Sequence, residues 1–510
     1  MVESLVFSRP AKHWFLASLT AAASIRLYLL WQYYCISSDG VVYLRAAQDF
    51  YRGDLNTAMS SVYPPGYPLL VAAVYPLFGD WELAGQSLSL LLGVLLLLPL
   101  YAIFTDLFDE NIAILACFLA AMSPYLALYS VHVRSESTYI FLSAVALYLF
   151  LTGIERERAG RLFWGGVVVG YAYLVRPEAI GFLVIVPAYA LFRWFLRGRT
   201  GFTRLVPSLG LLGIGFLLFS LPYIVYLSED TGRFGAISRK AGITLAINLK
   251  ESGALEDGDL QQDGDLGSFV FTDYIRRHPF RYLKQAGSDM IPAVGVFFAA
   301  LYYSYVPFLL LGMFVGLRNR FWTKPELLLV AFVLFYVFGF ALIYVKRRYA
   351  LQAVAISLGW VALGIGYAWN KLRMTISPEK RVRVAVIIGV IFLGATLPKT
   401  LKPVSPEKAY VREAGWYLRA QNKTGDLKVA VFDERVTFYA AARTISLAQI
   451  EQSNLSDELR KQTADYLAVE ARALEKTYPE IAIRPDRYGL ALRKTFIGTR
   501  NDKMLLFKVL

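Results

Sequence analysis

Hydrophobic positions in this chain come in long, unbroken blocks, not in the alternating or amphipathic stripes of soluble strands and helices. Residues 88–103 and 327–345 contain no charged residue at all. A helix needs about 20 apolar residues to cross the hydrocarbon core of a bilayer. Eleven runs approach or meet that length: residues 12–34, 83–105, 111–128, 137–153, 162–177, 179–196, 205–227, 290–317, 325–345, 350–370 and 384–398. The pattern predicts a polytopic α-helical membrane protein with about 11 transmembrane helices, and short runs and tight turns widen the range to about ten to twelve. Polar sequence is concentrated in two loops, residues 35–82 and 228–289, and in residues 399–510, whose entry carries Pro398, Pro403 and Pro406. In this last stretch residues 427–432, 466–469, 490–496 and 504–509 read as strands, with helical residues 406–420, 457–463 and 471–478 between them. The expected organisation is a transmembrane domain over residues 1–398 and a small soluble α/β domain over residues 399–510.

Composition removes the alternatives. Hydrophobic residues make up 56% of the chain and charged residues 18%, against about 25% charged in soluble domains; mean hydropathy is +0.45. Disorder, a disulfide scaffold and an ordinary soluble enzyme are excluded. The two cysteines, Cys35 and Cys117, are far apart and are not expected to pair, and they show no metal-ligand spacing. Residues 14–31 lack a small-residue cleavage site and are expected to remain as the first span. Neither a dinucleotide fingerprint nor a P-loop is present.

The net charge of +14 needs no nucleic-acid partner. With the N-terminus inside, four inward loops (residues 155–161, 193–204, 318–324 and 371–383) hold three, four, three and five Lys or Arg, as the positive-inside rule requires. This orientation puts the loops 35–82 and 228–289 and the residues from 399 onward on the extracytoplasmic face. Residues 399–510 carry 20 basic against 14 acidic side chains. A handful of cations remain on the outer side against the trend: Arg134, Arg176, Lys346, Arg347 and Arg348.

Those residues sit beside acids and aromatics at span ends. Asp39 follows the first span, and a helix continuing through Gln48 would bring Tyr43 and Arg45 within a turn or two of it; the same Asp could instead be a helix N-cap. Tyr63-Pro64-Pro65-Gly66-Tyr67-Pro68 is too rigid and aromatic for a casual linker, and reads as a turn at the membrane surface. His132 and Glu136 share a face if helical, with Arg134 between them as a pairing partner. Arg176 precedes Pro177 and Glu178, and Lys346-Arg347-Arg348-Tyr349 joins two spans. Outward cations call for an anion, either lipid headgroups or a substrate phosphate matched by the guanidinium fork. The fragments Glu256-Asp257-Gly258-Asp259 and Asp263-Gly264-Asp265 lack the full calcium-loop pattern and read as a solvated acidic loop. Gly166/Gly170 and Gly312/Gly316 have the spacing of close helix packing.

The order of these features resembles a known family. Asp39-Gly40-x2-Tyr43-x2-Ala46 with Gly53, then Tyr63 to Leu70, Arg134-Ser135-Glu136, Gly170 to Glu178, His278-Pro279 and Arg348-Tyr349 follow one another. In that order, over residues 10–370, the chain is similar to the GT-C integral-membrane glycosyltransferases of the protein O-mannosyltransferase and lipid A aminoarabinose transferase type. The resemblance implies an inverting transfer of one sugar from a polyprenyl-phosphate donor to a lipid, glycan or protein acceptor, outside the membrane of the cell envelope. It implies Asp39 as catalytic base or acceptor-orienting group and Glu136 as a second acid. Arg176, Arg348, Arg347 and Arg45 would bind the donor phosphate, and Tyr43, Tyr63, Tyr67, Arg134 and Tyr349 would line the cavity. The resemblance fixes no cofactor; if a divalent cation takes part, Glu136 and His132 are the candidate ligands. Two departures stand out. Gly40 occupies the position where many relatives have a second acid, and Tyr63 stands where the aminoarabinose transferases carry a phosphate-binding Lys. The rival reading is a transporter or flippase of a lipid-linked sugar, whose signature would be an internal repeat with broken helices.

Overall fold

The computed structural model describes residues 9–196, 202–232, 238–256, 269–318, 324–447 and 455–510. Asp257, Asp259, Asp263 and Asp265 of the calcium-loop-like fragments lie outside the described residues. The eleven apolar runs fall in helix, but fewer than eleven helices are full spans. Among the described residues seven helices are long and apolar enough to cross a membrane: Ala11–Trp31, Trp81–Leu107, Glu136–Glu155, Pro177–Leu196, Leu205–Thr231, Arg347–Thr375 and Pro378–Thr400. An eighth crossing is the pair Pro279–Leu301 and Tyr303–Leu317, bent by 92°. The bend falls at Tyr302, whose φ of 84° interrupts the helical path. Three expected spans are shorter apolar helices, Glu110–Met122, Ala159–Val175 and Glu326–Leu342, joined by Gly66–Phe78.

The shortening has local causes. Ser123 takes an extended conformation before Pro124 and stops the Glu110–Met122 helix. Arg176 is extended (φ −153°, ψ 129°) before Pro177 and stops the Ala159–Val175 helix. In both cases the residue before proline is driven out of the helical region. Helix starts are set by acids: the Asp80 carboxylate accepts from the Leu83 backbone N–H at 2.8 Å, and the Asp109 carboxylate from those of Asn111 and Ile112 at 2.8 and 2.9 Å.

The chain divides into two compact units, Met1–Tyr28 with Ala46–Leu401, and Leu29–Arg45 with Lys402–Leu510. In the first, Leu351–Thr375 is the central helix, with 83% of its apolar window buried, whereas the same figure for Pro378–Thr400 is 6%. The latter turns Val386, Val390 and Ile391 outward, as a lipid-facing helix does. Glycines allow backbones to touch. A Cβ on Gly312 would stand 1.7 Å from the Trp360 carbonyl oxygen, and on Gly166 or Gly170 it would stand 2.2 or 2.4 Å from those of Leu212 and Phe216. Both glycine pairs therefore lie where helices pack closely. Arg26, buried in the first span, donates to the carbonyls of Ala22 and Ala121 at 3.1 and 3.5 Å.

The second unit carries a five-stranded sheet in the order β2-β1-β3-β5-β4: β1 Lys428–Val431, β2 Arg443–Ser446, β3 Tyr466–Glu470, β4 Leu490–Ile497 and β5 Lys503–Val509. β1 pairs in parallel with β2 and β3, and β5 runs antiparallel to β3 and β4. Four strands follow the expected runs. β2 is four residues of mixed polarity, too short and too polar to show the alternation of a strand. Ala430, Ile445, Leu459, Leu467, Val469 and Phe507 share the core beneath the sheet. Residues 29–45 are fastened to this unit: the Tyr34 and Val404 backbone N–H groups donate to Val404 and Gln32 carbonyls at 3.0 Å, and the Ile36 N–H donates to the Tyr439 hydroxyl at 2.7 Å.

Candidate functional site

The sequence-predicted residues fall in both units. In the second, the helix Ser38–Arg52 begins where expected. Its first turn is tied by Ser37, whose hydroxyl accepts from the Gly40 N–H at 3.1 Å. Asp39 is thus in the first turn, where a carboxylate interacts favourably with the exposed N–H groups. Tyr43, one turn on, is buried. Arg45 forms an ion pair with Glu434 at 2.5 Å and donates to the Thr444 hydroxyl at 2.8 Å, both in the same unit.

In the first unit Arg176, Arg134 and Arg348 lie around the carboxylate of Glu136. Glu136 opens the Glu136–Glu155 helix and is buried, as is Arg176. Their ion pair spans 3.2 Å, and Arg176 also pairs with Glu178. Arg176 is at this place because Pro177 ends its helix and turns the chain outward. Arg134, Arg348 and Lys240 also lie near enough to act electrostatically on the Glu136 carboxylate. The second carboxylate oxygen of Glu136 is buried and makes no hydrogen bond among the described residues.

Aromatic faces hold the cations. The Arg176 guanidinium lies 5.8 Å from the Tyr139 ring centre and 5.2 Å from that of Tyr349. Arg348 lies 5.0 Å from the Tyr349 ring centre and donates to its hydroxyl at 3.1 Å. Tyr349 is buried and stacks on Phe340 at 4.5 Å. Arg347 donates to the Tyr125 hydroxyl at 2.8 Å. Lys346 lies over Tyr344 at 4.1 Å, and Lys240 over Tyr63 at 3.9 Å. Such contacts fix the place of the positive charge.

The proline turn is a packed corner. The Tyr67 hydroxyl is buried, donates to the Gly85 carbonyl at 3.0 Å and shares a hydrogen bond with Ser89. The Tyr171 hydroxyl donates to the Gly66 carbonyl at 2.9 Å. A Cβ on Gly66 would stand 2.7 Å from the Leu174 carbonyl, so only glycine allows this turn to press on the helix that ends at Arg176. His132 packs against Tyr129 at 5.9 Å, and the Arg134 carbonyl accepts from the Ser89 hydroxyl at 3.3 Å.

Among the described residues no three His, Cys, Asp or Glu side chains are grouped as metal ligands. Glu136 faces cations, the wrong company for a divalent ion, so the pair Glu136 and His132 does not fit such a site. Lys240 was missed because no motif marks it: it is brought to the cluster by the helix Arg239–Glu251. Arg239 anchors that helix start by donating to the Met59 and Ser61 carbonyls at 2.8 and 3.2 Å.

Residues 62–226, which include the proline turn, Glu136 and Arg176, match the family model of dolichyl-phosphate-mannose-protein mannosyltransferase. No curated protein matches the chain by sequence. Among solved structures, ArnT from Cupriavidus metallidurans bound to undecaprenyl phosphate is similar at a TM-score of 0.61 and 14% identity, over 98% of each chain. The Archaeoglobus fulgidus oligosaccharyltransferase tethered with an acceptor peptide is similar at 0.60 and 14%, over 97% of this chain and 74% of that one. The fold is that of a multi-pass integral-membrane protein, and residues 62–226 are similar to a membrane glycosyltransferase. The chain is mannosyltransferase-like in its matched region and ArnT-like in fold.

Proposed function

We propose that this enzyme moves a single sugar from a polyprenyl-phosphate carrier to an acceptor hydroxyl on the extracytoplasmic face, with inversion. The observation that carries the reading is the buried Glu136–Arg176 ion pair at 3.2 Å, with Arg348 on the same Tyr349 ring as Arg176 and with Arg134 and Lys240 acting electrostatically on Glu136. Guanidinium groups in this place are suited to a phosphate, whose oxygens their forked donors match. That ArnT has been solved with undecaprenyl phosphate on the same fold supports the choice of donor.

In the proposed step the acceptor oxygen attacks the anomeric carbon as the bond from that carbon to the phosphate oxygen breaks. Single displacement inverts the centre. The leaving group is a phosphate monoester whose growing charge is stabilised by Arg176 and Arg348, so it needs no proton. The acceptor proton goes to Asp39, in the role the sequence order suggests. Glu136 acts as a positioning group that holds Arg176 across 3.2 Å. Arg347 and Lys346, held on Tyr125 and Tyr344, extend the positive lining toward the donor.

Purified protein in nanodiscs, supplied with polyprenyl-phosphate sugars and envelope lipid acceptors, tests this directly. Covalent transfer that is abolished by Asp39→Asn is the expected result. Full transfer by that variant rejects the base assignment. Movement of labelled lipid across the bilayer without transfer favours the transporter reading instead.

A further inference from the structure

The second unit contains a cavity of about 460 Å³ built from four separate segments, a size typical of small-molecule sites. The helix Ser38–Arg52 supplies Arg45, the helix Glu434–Ala440 supplies Glu434, β2 supplies Thr444 and Ser446, and the helix Leu455–Lys461 with the residue after it supplies Glu458 and Gln462. The polar groups are fixed before any ligand arrives. Arg45 is held by Glu434 at 2.5 Å and by the Thr444 hydroxyl at 2.8 Å, and that hydroxyl is hydrogen-bonded to Thr437 at 2.7 Å. The Gln462 amide donates to Glu458 at 2.6 Å, and the largely exposed Lys461 lies 3.7 Å from the same carboxylate.

The chemistry of the lining excludes most ligand classes. The one guanidinium is already matched by Glu434, and a second carboxylate is present, so a phosphate or other anion is repelled. Glu434 is matched by Arg45, and Glu458 by the Gln462 amide with Lys461 at 3.7 Å, so neither carboxylate is left for a cation, and no third carboxylate, His or Cys joins the group among the described residues. Among the described residues Ile445 is the sole apolar one of the lining, too little for a lipid tail or aromatic ligand. What remains is a neutral molecule dense in hydroxyls. Planar carboxylate, amide and guanidinium edges present paired donors and acceptors at the spacing of neighbouring hydroxyls, and the Thr444 and Ser446 hydroxyls can both give and take hydrogen bonds. We propose that this cavity is a binding site for a neutral saccharide, separate in residues and in charge from the cation cluster around Glu136. It would give the enzyme a hold on a glycan that does not depend on phosphate.

Saturation-transfer difference NMR on the full-length protein in nanodiscs tests the site, with maltotriose as the neutral probe and glucosamine as its cationic counterpart. The expected result is transfer to maltotriose that is lost in Gln462→Ala/Ser446→Ala and kept in Arg348→Gln, with glucosamine the weaker ligand. Thr444→Val, which keeps the side-chain shape and removes the hydroxyl anchoring Arg45, is the second variant if the double one does not fold; it should weaken the same signal. Absence of maltotriose transfer in the wild type overturns the proposal. So does a signal that survives the cavity variants, a signal lost in Arg348→Gln, which assigns the sugar to the cation cluster, or a preference for glucosamine. Loss of sugar transfer activity in Asp39→Asn leaves all these outcomes unchanged, so the two readings fail separately.

Discussion

Replacing Arg176 by Gln separates the structural from the chemical role of the cation cluster. Arg176 and Glu136 have side chains only 7% and 4% exposed and lie 3.2 Å apart, and Arg176 also pairs with Glu178. Removing one member of a buried pair costs about 3–5 kcal/mol, because the partner charge is left without compensation. Here two carboxylates are left, so the upper part of that range is expected for Arg176→Gln. The double variant Arg176→Gln/Glu136→Gln removes the stranded Glu136 charge, and should recover about half of the loss. Activity should behave differently. A cation aimed at the leaving phosphate contributes about 10²–10³ in rate, or about 2.7–4 kcal/mol, and the double variant does not restore it. The assay is sugar transfer from a polyprenyl-phosphate donor, followed beside thermal unfolding by tryptophan emission in the same nanodiscs. Stability that recovers while transfer stays low is the predicted pattern. Transfer that recovers in step with stability would refute a direct role, and would reduce Arg176 to a structural cation.

Lys240→Gln should raise the donor KM about tenfold, or about 1.4 kcal/mol, and move kcat less, since Lys240 joins the cluster from the side and its loss removes binding more than transition-state charge; an unchanged KM removes it from the donor site. Gly312→Leu should destabilise the first unit by at least about 3 kcal/mol, because its Cβ would stand 1.7 Å from the Trp360 carbonyl oxygen; a melting temperature within error of the wild type contradicts the close packing. In the second unit, burial works against the Lys408 ammonium, but hydrogen bonds to Glu470 and Tyr410 hold its pKa above the usual value of 10.5, and burial pushes Tyr410 up to about 12. Both groups bind protons more tightly folded than unfolded, so their contribution is complete at neutral pH and falls as pH rises from about 10 through the folded values. Lys408→Met should flatten the alkaline fall in melting temperature, and an equally steep fall in the variant shows that other groups cause it.

The parts of this fold that were legible in the chain are those governed by composition over many residues. Uncharged blocks marked the helices, and the surplus of arginine between them marked loops. Full-span counting failed where single residues decide: Pro124 and Pro177 end helices that apolarity alone would continue, and Tyr302 bends one apolar run into two. In the soluble part, β1, β3, β4 and β5 showed themselves by apolar runs, whereas β2 is held by parallel pairing of Arg443–Ser446 with β1 and has no pattern of its own. The site divided in the same way. Arg176, Arg348 and Glu136 stood out because charge at a span end is costly. Lys240 lay in a long polar loop where a lysine is ordinary, and only folding places it 3.9 Å over Tyr63. Arg45 looked like one more outward cation, yet its partners are Glu434 and Thr444, nearly four hundred residues away in sequence.

The cluster's charges all sit at places where a helix starts or stops. Glu136 is the first residue of its helix, Arg176 the last before a proline, and Arg347 and Arg348 lie in the single turn that precedes Leu351. This is the economical solution for charge in a membrane protein. A guanidinium in the middle of a span turns to carbonyls, as Arg26 does through Nη1, and even so its buried Nε makes no hydrogen bond among the described residues. At a broken end the backbone turns away, aromatic rings such as Tyr139 and Tyr349 cover the cation without neutralising it, and one carboxylate fixes its direction. Two carboxylates, Glu136 and Glu178, meet Arg176, and Arg134, Arg348 and Lys240 also act electrostatically on Glu136. On the proposed function these cations meet the phosphate of a lipid-carried donor, and the same arrangement disfavours a divalent metal.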